Sequence, residues 1–318
     1  MKITVIGCGR WGSLITWYLD RMGHDVTLYG MADAPEMQRF LETRQNDLLA
    51  LPESIRLTTD ITDVPSGEVI IISIPSQALS GLMEELQPLA LRDKTIVLCM
   101  KGIEISTGRR LSEIATQALH PSCAVAVWLG PGHVQEFYKG NPSCMVIDSD
   151  NEEVKHRLVD EFSSDLIRFY YGQDLIGNEI GAAAKNVVGI AAGMLDGYGL
   201  STLKGALMAR GTREVARLIK AMGGNELSAY GLCHLGDYEA TVFSPHSHNR
   251  AFGEAFVNGE SFKALAEGYY TAKAMVQLGE RYGVDLPICT AVYRILYEQA
   301  DCKAALMRLM TRELKNEF

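Results

Sequence analysis

The sequence predicts an α/β protein in which an N-terminal Rossmann-like doubly wound sheet is followed by an all-helical C-terminal domain. Three observations predict it. Seven short, β-branched runs alternate with helix-length stretches as far as Tyr171, and a G-x-G-x-x-G stands between the first run and the first helical pattern. Beyond Asp174 such runs vanish, and Ala, Leu, Met and Gly recur at helical spacing. The 318 residues suit two domains at roughly 150 residues each, and 47% hydrophobic with 22% charged residues excludes a disordered or collagen-like chain.

In order, the expected strands are residues 3–6, 25–29, 69–74, 95–100, 124–128, 144–147 and 166–170. Runs apolar at nearly every position suit strands covered on both faces, and the helix-length connections suit parallel crossovers. The expected helices of the second half are 176–195, 203–222, 262–282, 288–299 and 304–314. No Pro- or Ser-rich linker separates the halves. The expected division is therefore a dinucleotide-binding domain over 1–174 and a helical substrate domain over 175–318, with no internal repeat.

Thirty basic against thirty-nine acidic residues give a net charge of -9, which argues against nucleic acid or an anionic membrane as partner. The 69–74 run stops at Pro75 and the 181–195 run carries Lys185, so no membrane span is expected. Arg10 interrupts the apolar opening, which reads as a strand and not as a secretory signal. Seven scattered cysteines, none in a Cys-x-x-Cys, fit reduced thiols and a cytoplasmic location.

In the glycine loop, Gly7 permits a tight turn, Gly9 lets a pyrophosphate approach the backbone, and Gly12 lets the helix pack on the sheet. The helix N-terminus then faces the phosphates. Arg10 can reach a phosphate from within the loop or point to solvent. The acidic residue expected some 20 positions on for the ribose is replaced by Tyr29-Gly30-Met31, Asp33 comes late, and no cation there suits a 2′-phosphate. Either NAD or NADP is expected, NAD being favoured. Ser73-Ile74-Pro75-Ser76-Gln77 follows the third run, where a loop borders the cofactor, a Pro-stopped loop being the plainer alternative.

Lys101-Gly102 follows the fourth run, at the sheet edge where open α/β folds bind ligands, and Gly130-Pro131-Gly132 after the fifth can present backbone N–H groups or simply turn. The segment 179–193 is the most informative. There Lys185 lies within an apolar helix, and Gly181, Lys185, Val188, Gly189 and Ala192 share a face of small residues. Several helical glycines, each costing about 1 kcal/mol against Ala, call for a packing or functional reason. A partly buried Lys185 suits general acid/base work, whereas a lysine reaching the surface is the alternative.

Asp237 can pair with Lys185, with Thr241 four residues on sharing its face if the segment is helical. Ser247, Asn249 and helix N-terminal amides can bind an anion with Arg250 adding charge, or Ser247 can merely cap the helix. His246-x-His248 lacks a third ligand, so no metal is expected. Cys233-His234 is a poorer candidate still, as a thiol nucleophile.

End to end, the chain resembles the soluble bacterial-type NAD(P)-dependent glycerol-3-phosphate dehydrogenases. The resemblance rests on Gly7-x-Gly9-x-Trp11-Gly12, Pro75-Ser76, Lys101-Gly102, Gly130-Pro131, Gly181-Ala182-x-x-Lys185-Asn186-Val187, Ala209-Arg210-Gly211, Gly231-Leu232-x-x-Leu235-Gly236-Asp237, Ser247-x-Asn249-Arg250-x-Phe252-Gly253, Glu267-Gly268 and Leu286-Pro287-Ile288. It implies reduction of dihydroxyacetone phosphate to sn-glycerol 3-phosphate for glycerophospholipid synthesis, by a homodimer. It also implies that Lys185 exchanges the proton at the C2 oxygen, that Lys101 is a second cation on the substrate, and that Asp237 and Thr241 position them. Trp11 and Glu267 correspond to cofactor-contacting positions, Pro75 and Lys101 being further cofactor candidates at the sheet edge, and Gly130, Ser247, His248, Asn249 and Arg250 are the substrate-side candidates.

Two departures fall where the family holds the substrate phosphate. His248 replaces the Arg of the usual Ser-Arg-Asn, and Gly132 the hydroxyl residue after Gly-Pro. His matches a bidentate anion partner poorly, so either Arg250 or Arg10 compensates or the substrate is another small phosphorylated or carboxylated ketone. The stretch Gly199-Leu200-Ser201-Thr202-Leu203 also lacks the usual Asn. A nucleotide sensor without turnover is the non-enzymatic alternative.

Overall fold

The computed structural model describes residues 1–311, the side chain of Met310 excepted. Eight strands form one sheet: β1 (Lys2–Ile6), β2 (Asp25–Tyr29), β3 (Arg56–Thr58), β4 (Val69–Ile72), β5 (Thr95–Leu98), β6 (Ala124–Leu129), β7 (Ser143–Asp148) and β8 (Ile167–Tyr171). Their order is β3-β2-β1-β4-β5-β6-β7-β8, so the chain reverses direction across the sheet between β1 and β4. This is the doubly wound order, with the crevice for a dinucleotide at the C-terminal ends of those two strands. Every residue of β4 and β5 is buried, as their almost wholly apolar sequences require.

Three strand expectations need correction. The β6–β7 pair is antiparallel, not parallel. Only residues 130–142 connect the two, with one five-residue helix, Val134–Tyr138, which is too short to run back along the sheet. Strand β3 escaped notice because three residues at an edge, one of them an exposed Arg, carry no readable period. Finally β4 and β5 stop two residues before Ile74 and Met100, where the chain turns into loops.

Cα packing divides the chain into two compact units. The first comprises Met1–Lys101 and Arg109–Glu179; the second holds Gly102–Gly108 and the described residues from Ile180 on. In the first unit, Arg10–Arg21 buries Leu14, Ile15, Tyr18 and Leu19 against β1 and β2, and Trp128 packs against Tyr18, Phe162 and Phe169.

The second unit contains Lys204–Ala221, His248–Asn258, Glu267–Tyr282, Pro287–Tyr297 and Cys302–Met310, with most of Leu175–Gly197. The expected 262–282 helix begins only at Glu267, because the Asn249 side chain accepts the Gly268 N–H at 2.8 Å and fixes the first turn there. Of the expected 304–314 helix, residues 312–314 lie outside the described ones. Among the described residues no helix is long and apolar enough to cross a membrane.

Buried Glu214 accepts the N–H groups of Ile288 and Cys289 and so satisfies the start of Pro287–Tyr297. Burial nevertheless pushes its carboxyl up to about 7. The native state therefore keeps a proton that the unfolded chain loses near pH 4.5, and stability falls as pH rises from there to about 7. In thermal melts across this window Glu214→Gln should flatten the slope, whatever it does to the absolute melting temperature. An unchanged slope would exclude Glu214 as its origin.

Candidate active site

In the first unit the glycine-loop residues expected to hold a cofactor lie at the β1–β4 reversal. Gly7 adopts φ +109°, open to glycine alone at low cost, and a Cβ there would collide with the Ser73 carbonyl after β4. A Cβ on Gly12 would strike the Gly7 carbonyl. Gly9 differs: it is exposed, and a Cβ would meet nothing within 4 Å. As the uncapped N-cap of Arg10–Arg21, whose first turn carries no acidic residue, it leaves open the space that a pyrophosphate needs. The residues present therefore fit a dinucleotide. Pro75 is exposed just past the same edge.

Half-buried Arg10 reaches Gln135 at 3.4 Å, and burial lowers its pKa. The Trp11 ring lies 6.0 Å from that of Phe137, a partner within the protein. Phe137 also explains Gly132, because its ring fills the place where a Cβ would stand. A hydroxyl side chain at 132 has no room in this arrangement. Lys101 donates to the Gly130 carbonyl at 2.6 Å, so the two loops noted after β5 and β6 do meet.

In the second unit the ammonium of Lys185 lies 2.7 Å from the Asp237 carboxylate and donates to the Thr241 hydroxyl at 2.7 Å. All three residues are buried, with exposures of 6%, 1% and 2%. The lysine does not reach for solvent. Asp237 and Thr241 are not on one α-helix face, as their spacing allowed: Asp237 closes a 3₁₀ turn, Leu235–Asp237, and Thr241 sits in a π turn, Glu239–Phe243. The wider π turn still brings both onto one amine.

The helical glycines now have their reason. A Cβ on Gly189 would come within 2.7 Å of the Thr241 methyl group, one on Gly181 within 3.0 Å of the His234 Cβ, and one on Gly193 would collide with the Arg250 carbonyl. Small residues thus let the segments bearing the polar groups close on Leu175–Gly197. Asn186, one residue past the lysine, accepts from the Asn249 amide at 3.0 Å. Asn186 was legible only as part of the lysine motif, and the buried His234 only beside Cys233 as a poor thiol-nucleophile candidate; neither stood among the expected site residues.

The anion-holding candidates are more engaged than expected. Ser247 caps His248–Asn258 by accepting the Arg250 N–H. The Arg250 guanidinium pairs with Asp196 at 2.8 Å and Glu254 at 3.0 Å, while also donating to the Ser244 carbonyl. His248 is half-buried, its Nδ1 3.3 Å from the Leu265 carbonyl and its ring edge-on to Phe262. Glu267 opens the helix Glu267–Tyr282. Among the described residues no group of three or more His, Cys, Asp or Glu is placed to hold a metal.

Models described as the NAD-dependent glycerol-3-phosphate dehydrogenase N-terminus and C-terminus match residues 2–155 and 174–307. A relative from Chlorobium phaeobacteroides (strain BS1), named glycerol-3-phosphate dehydrogenase (NAD(P)+), is 37% identical over 335 residues, covering 100% of this chain and 99% of its own. One of the same name from Thermoanaerobacter sp. (strain X514) is 34% identical over 330 residues, with the same coverage. The solved glycerol-3-phosphate dehydrogenase from Coxiella burnetii superposes with a TM-score of 0.92 at 28% identity, over 98% of this chain and 99% of that one. A PanE/ApbA family ketopantoate reductase from Ralstonia eutropha JMP134 shares the fold alone, with a TM-score of 0.64 at 13% identity over 98% of this chain and 100% of that one.

Proposed function

Because the chain belongs to the NAD-dependent glycerol-3-phosphate dehydrogenase family, we propose that it transfers a hydride between NAD(P)H and dihydroxyacetone phosphate to give sn-glycerol 3-phosphate. The observation that carries this is the buried Lys185–Asp237–Thr241 cluster, its lysine on a helix of small residues. When bound, the reduced nicotinamide supplies the hydride taken up by the carbonyl carbon.

Lys185 does the proton work. As the new C–H bond forms, the C=O π pair collects on the C2 oxygen; the ammonium hydrogen-bonds to that charge and delivers its proton, leaving an amine that solvent reprotonates. The carboxylate of Asp237 and the hydroxyl of Thr241 aim it. In the oxidative direction the amine takes the alcohol proton. Lys101 is the second cation on the substrate, and Gly7, Gly9, Arg10, Trp11, Gly12, Pro75 and Glu267 hold the cofactor. Gly130, Ser247, His248, Asn249 and Arg250 complete the substrate side.

The test is absorbance at the reduced-nicotinamide band with dihydroxyacetone phosphate and NADH or NADPH in parallel. Turnover with either supports the reading. Absence of turnover despite cofactor binding sinks it and favours a different ketone substrate or a nucleotide sensor. NAD is the favoured cofactor, since no cation at the end of β2 invites a 2′-phosphate. A cytoplasmic homodimer serving glycerophospholipid synthesis belongs to the same reading, and light scattering checks the dimer.

A second reading, reduction of another small phosphorylated or carboxylated ketone, is favoured by His248, by the ion pairs that engage Arg250, and by the filled space at Gly132. His248→Arg decides how far it holds. A restored bidentate partner should lower KM for dihydroxyacetone phosphate by about 10–100-fold, the worth of a charge-assisted hydrogen bond. An unchanged KM would mean that position 248 does not touch the substrate anion.

A further inference from the structure

Behind the lysine lies a second polar pair that takes no part in the proton transfer. His234 is fully buried, its Nδ1 2.8 Å from the Gly181 carbonyl and its Nε2 2.8 Å from the Tyr238 hydroxyl. A carbonyl only accepts, so Nδ1 carries the hydrogen and Nε2 accepts from the Tyr238 O–H. The tautomer is thereby set. Burial holds the imidazole down to about 4 with the Lys185 cation adding to it, against the opposing pull of the Gly181 bond and of Asp237, so the ring is neutral near pH 7.

The carbonyl it grips is not arbitrary. In an α-helix the Gly181 carbonyl is the acceptor for the Lys185 N–H, so the imidazole binds the turn from which the lysine projects. The same short segment also holds the other end of the side chain. The Asp237 N–H donates to the His234 carbonyl at 3.0 Å, and the Asp237 carboxylate takes the ammonium. Gly181 is what admits the ring this close. The sequence motif that ends in Asp237 leaves positions 233 and 234 unspecified, so this device is a property of this chain's own residues.

We propose that His234, locked by Tyr238, is a positioning residue that clamps the Gly181–Lys185 turn and keeps the ammonium registered on Asp237 and Thr241. This rests on Lys185 being the proton donor. Around the pair, Lys185 and Asp237 act on the imidazole, whereas Thr212, Glu214 and Cys289 face the Tyr238 phenol.

The test measures kcat and the pH profile of kcat/KM for dihydroxyacetone phosphate reduction in His234→Ala, His234→Asn, Tyr238→Phe and Lys185→Ala. In His234→Ala kcat should fall about 10–100-fold, the effect of a displacement near 1 Å at a reacting group. The alkaline limb should move to lower pH, because an ammonium that slips from its carboxylate gives up its proton more readily. In His234→Asn the amide nitrogen replaces Nδ1 as donor to Gly181, and most of both losses should be recovered. Tyr238→Phe, losing one hydrogen bond, should show a smaller shift in the same direction, and it decides the matter if His234→Ala does not fold. Wild-type kcat and limb in His234→Ala or Tyr238→Phe, or no recovery in His234→Asn, overturns the clamp. An inactive Lys185→Ala beside unaffected His234 variants removes the clamp alone, whereas an active Lys185→Ala removes the proton-donor assignment as well.

Discussion

Lys185→Ala should lower kcat for ketone reduction by about 10²–10⁴-fold, the span of a lost general acid, while cofactor binding measured by calorimetry stays within a factor of a few. The separation follows from where the residues lie. Lys185 is in the second unit and the glycine loop in the first, and the alanine removes no group from the loop. The substitution also strands Asp237, a carboxylate only 1% exposed, and breaking a buried pair on one side costs about 3–5 kcal/mol of stability. Loss of activity and loss of fold must therefore be told apart. The double variant Lys185→Ala with Asp237→Asn removes the stranded charge and should recover most of the stability, but none of the turnover. Near-normal kcat in Lys185→Ala would end its assignment as proton donor. If both stability and activity returned in the double variant, the cluster would be structural.

Gly9→Glu should abolish cofactor binding and leave the fold intact. A Cβ at position 9 would meet no atom within 4 Å, at the exposed start of Arg10–Arg21. Two like charges about 4 Å apart at an effective dielectric near 20 repel by about 4 kcal/mol, so a carboxylate beside the pyrophosphate should weaken NAD(P)H by at least about 100-fold. Far-UV circular dichroism and the melting temperature should stay near wild type, since the glutamate adds negative charge to a helix N-terminus, where it is tolerated. Gly12→Ala is the contrast, because its methyl group would strike the Gly7 carbonyl and disturb the loop itself. Calorimetric titration with NADH separates the two. Undiminished affinity in Gly9→Glu would move the dinucleotide away from this loop.

Much of this molecule was legible before any coordinates. Strands buried on both faces are apolar at nearly every position, so β1, β2, β4 and β5 were visible as short, mostly apolar runs, and the glycine loop was meaningful because of its place between strand and helix. Lys185 stood out because a cation within an apolar helix is costly unless something compensates it. The antiparallel β7 and the three-residue β3 were not legible, since direction and pairing arise from connection length and from neighbours distant in sequence.

The motif residues alone determined the family and the cofactor class and singled out Lys185 as the acid/base candidate, because chemistry restricts which side chains can serve at those spacings. Only the tertiary structure decided what each polar group is bound to. It set Thr241 beside Lys185 through a π turn, tied Arg250 to Asp196 and Glu254, filled the space at Gly132 with Phe137, and placed His234, bonded in turn to Tyr238, against the lysine's own helix turn. The physical reason is the same in each case: a buried polar atom must find a partner, and that partner comes from whichever segment packs against it, information that no local pattern of residues contains.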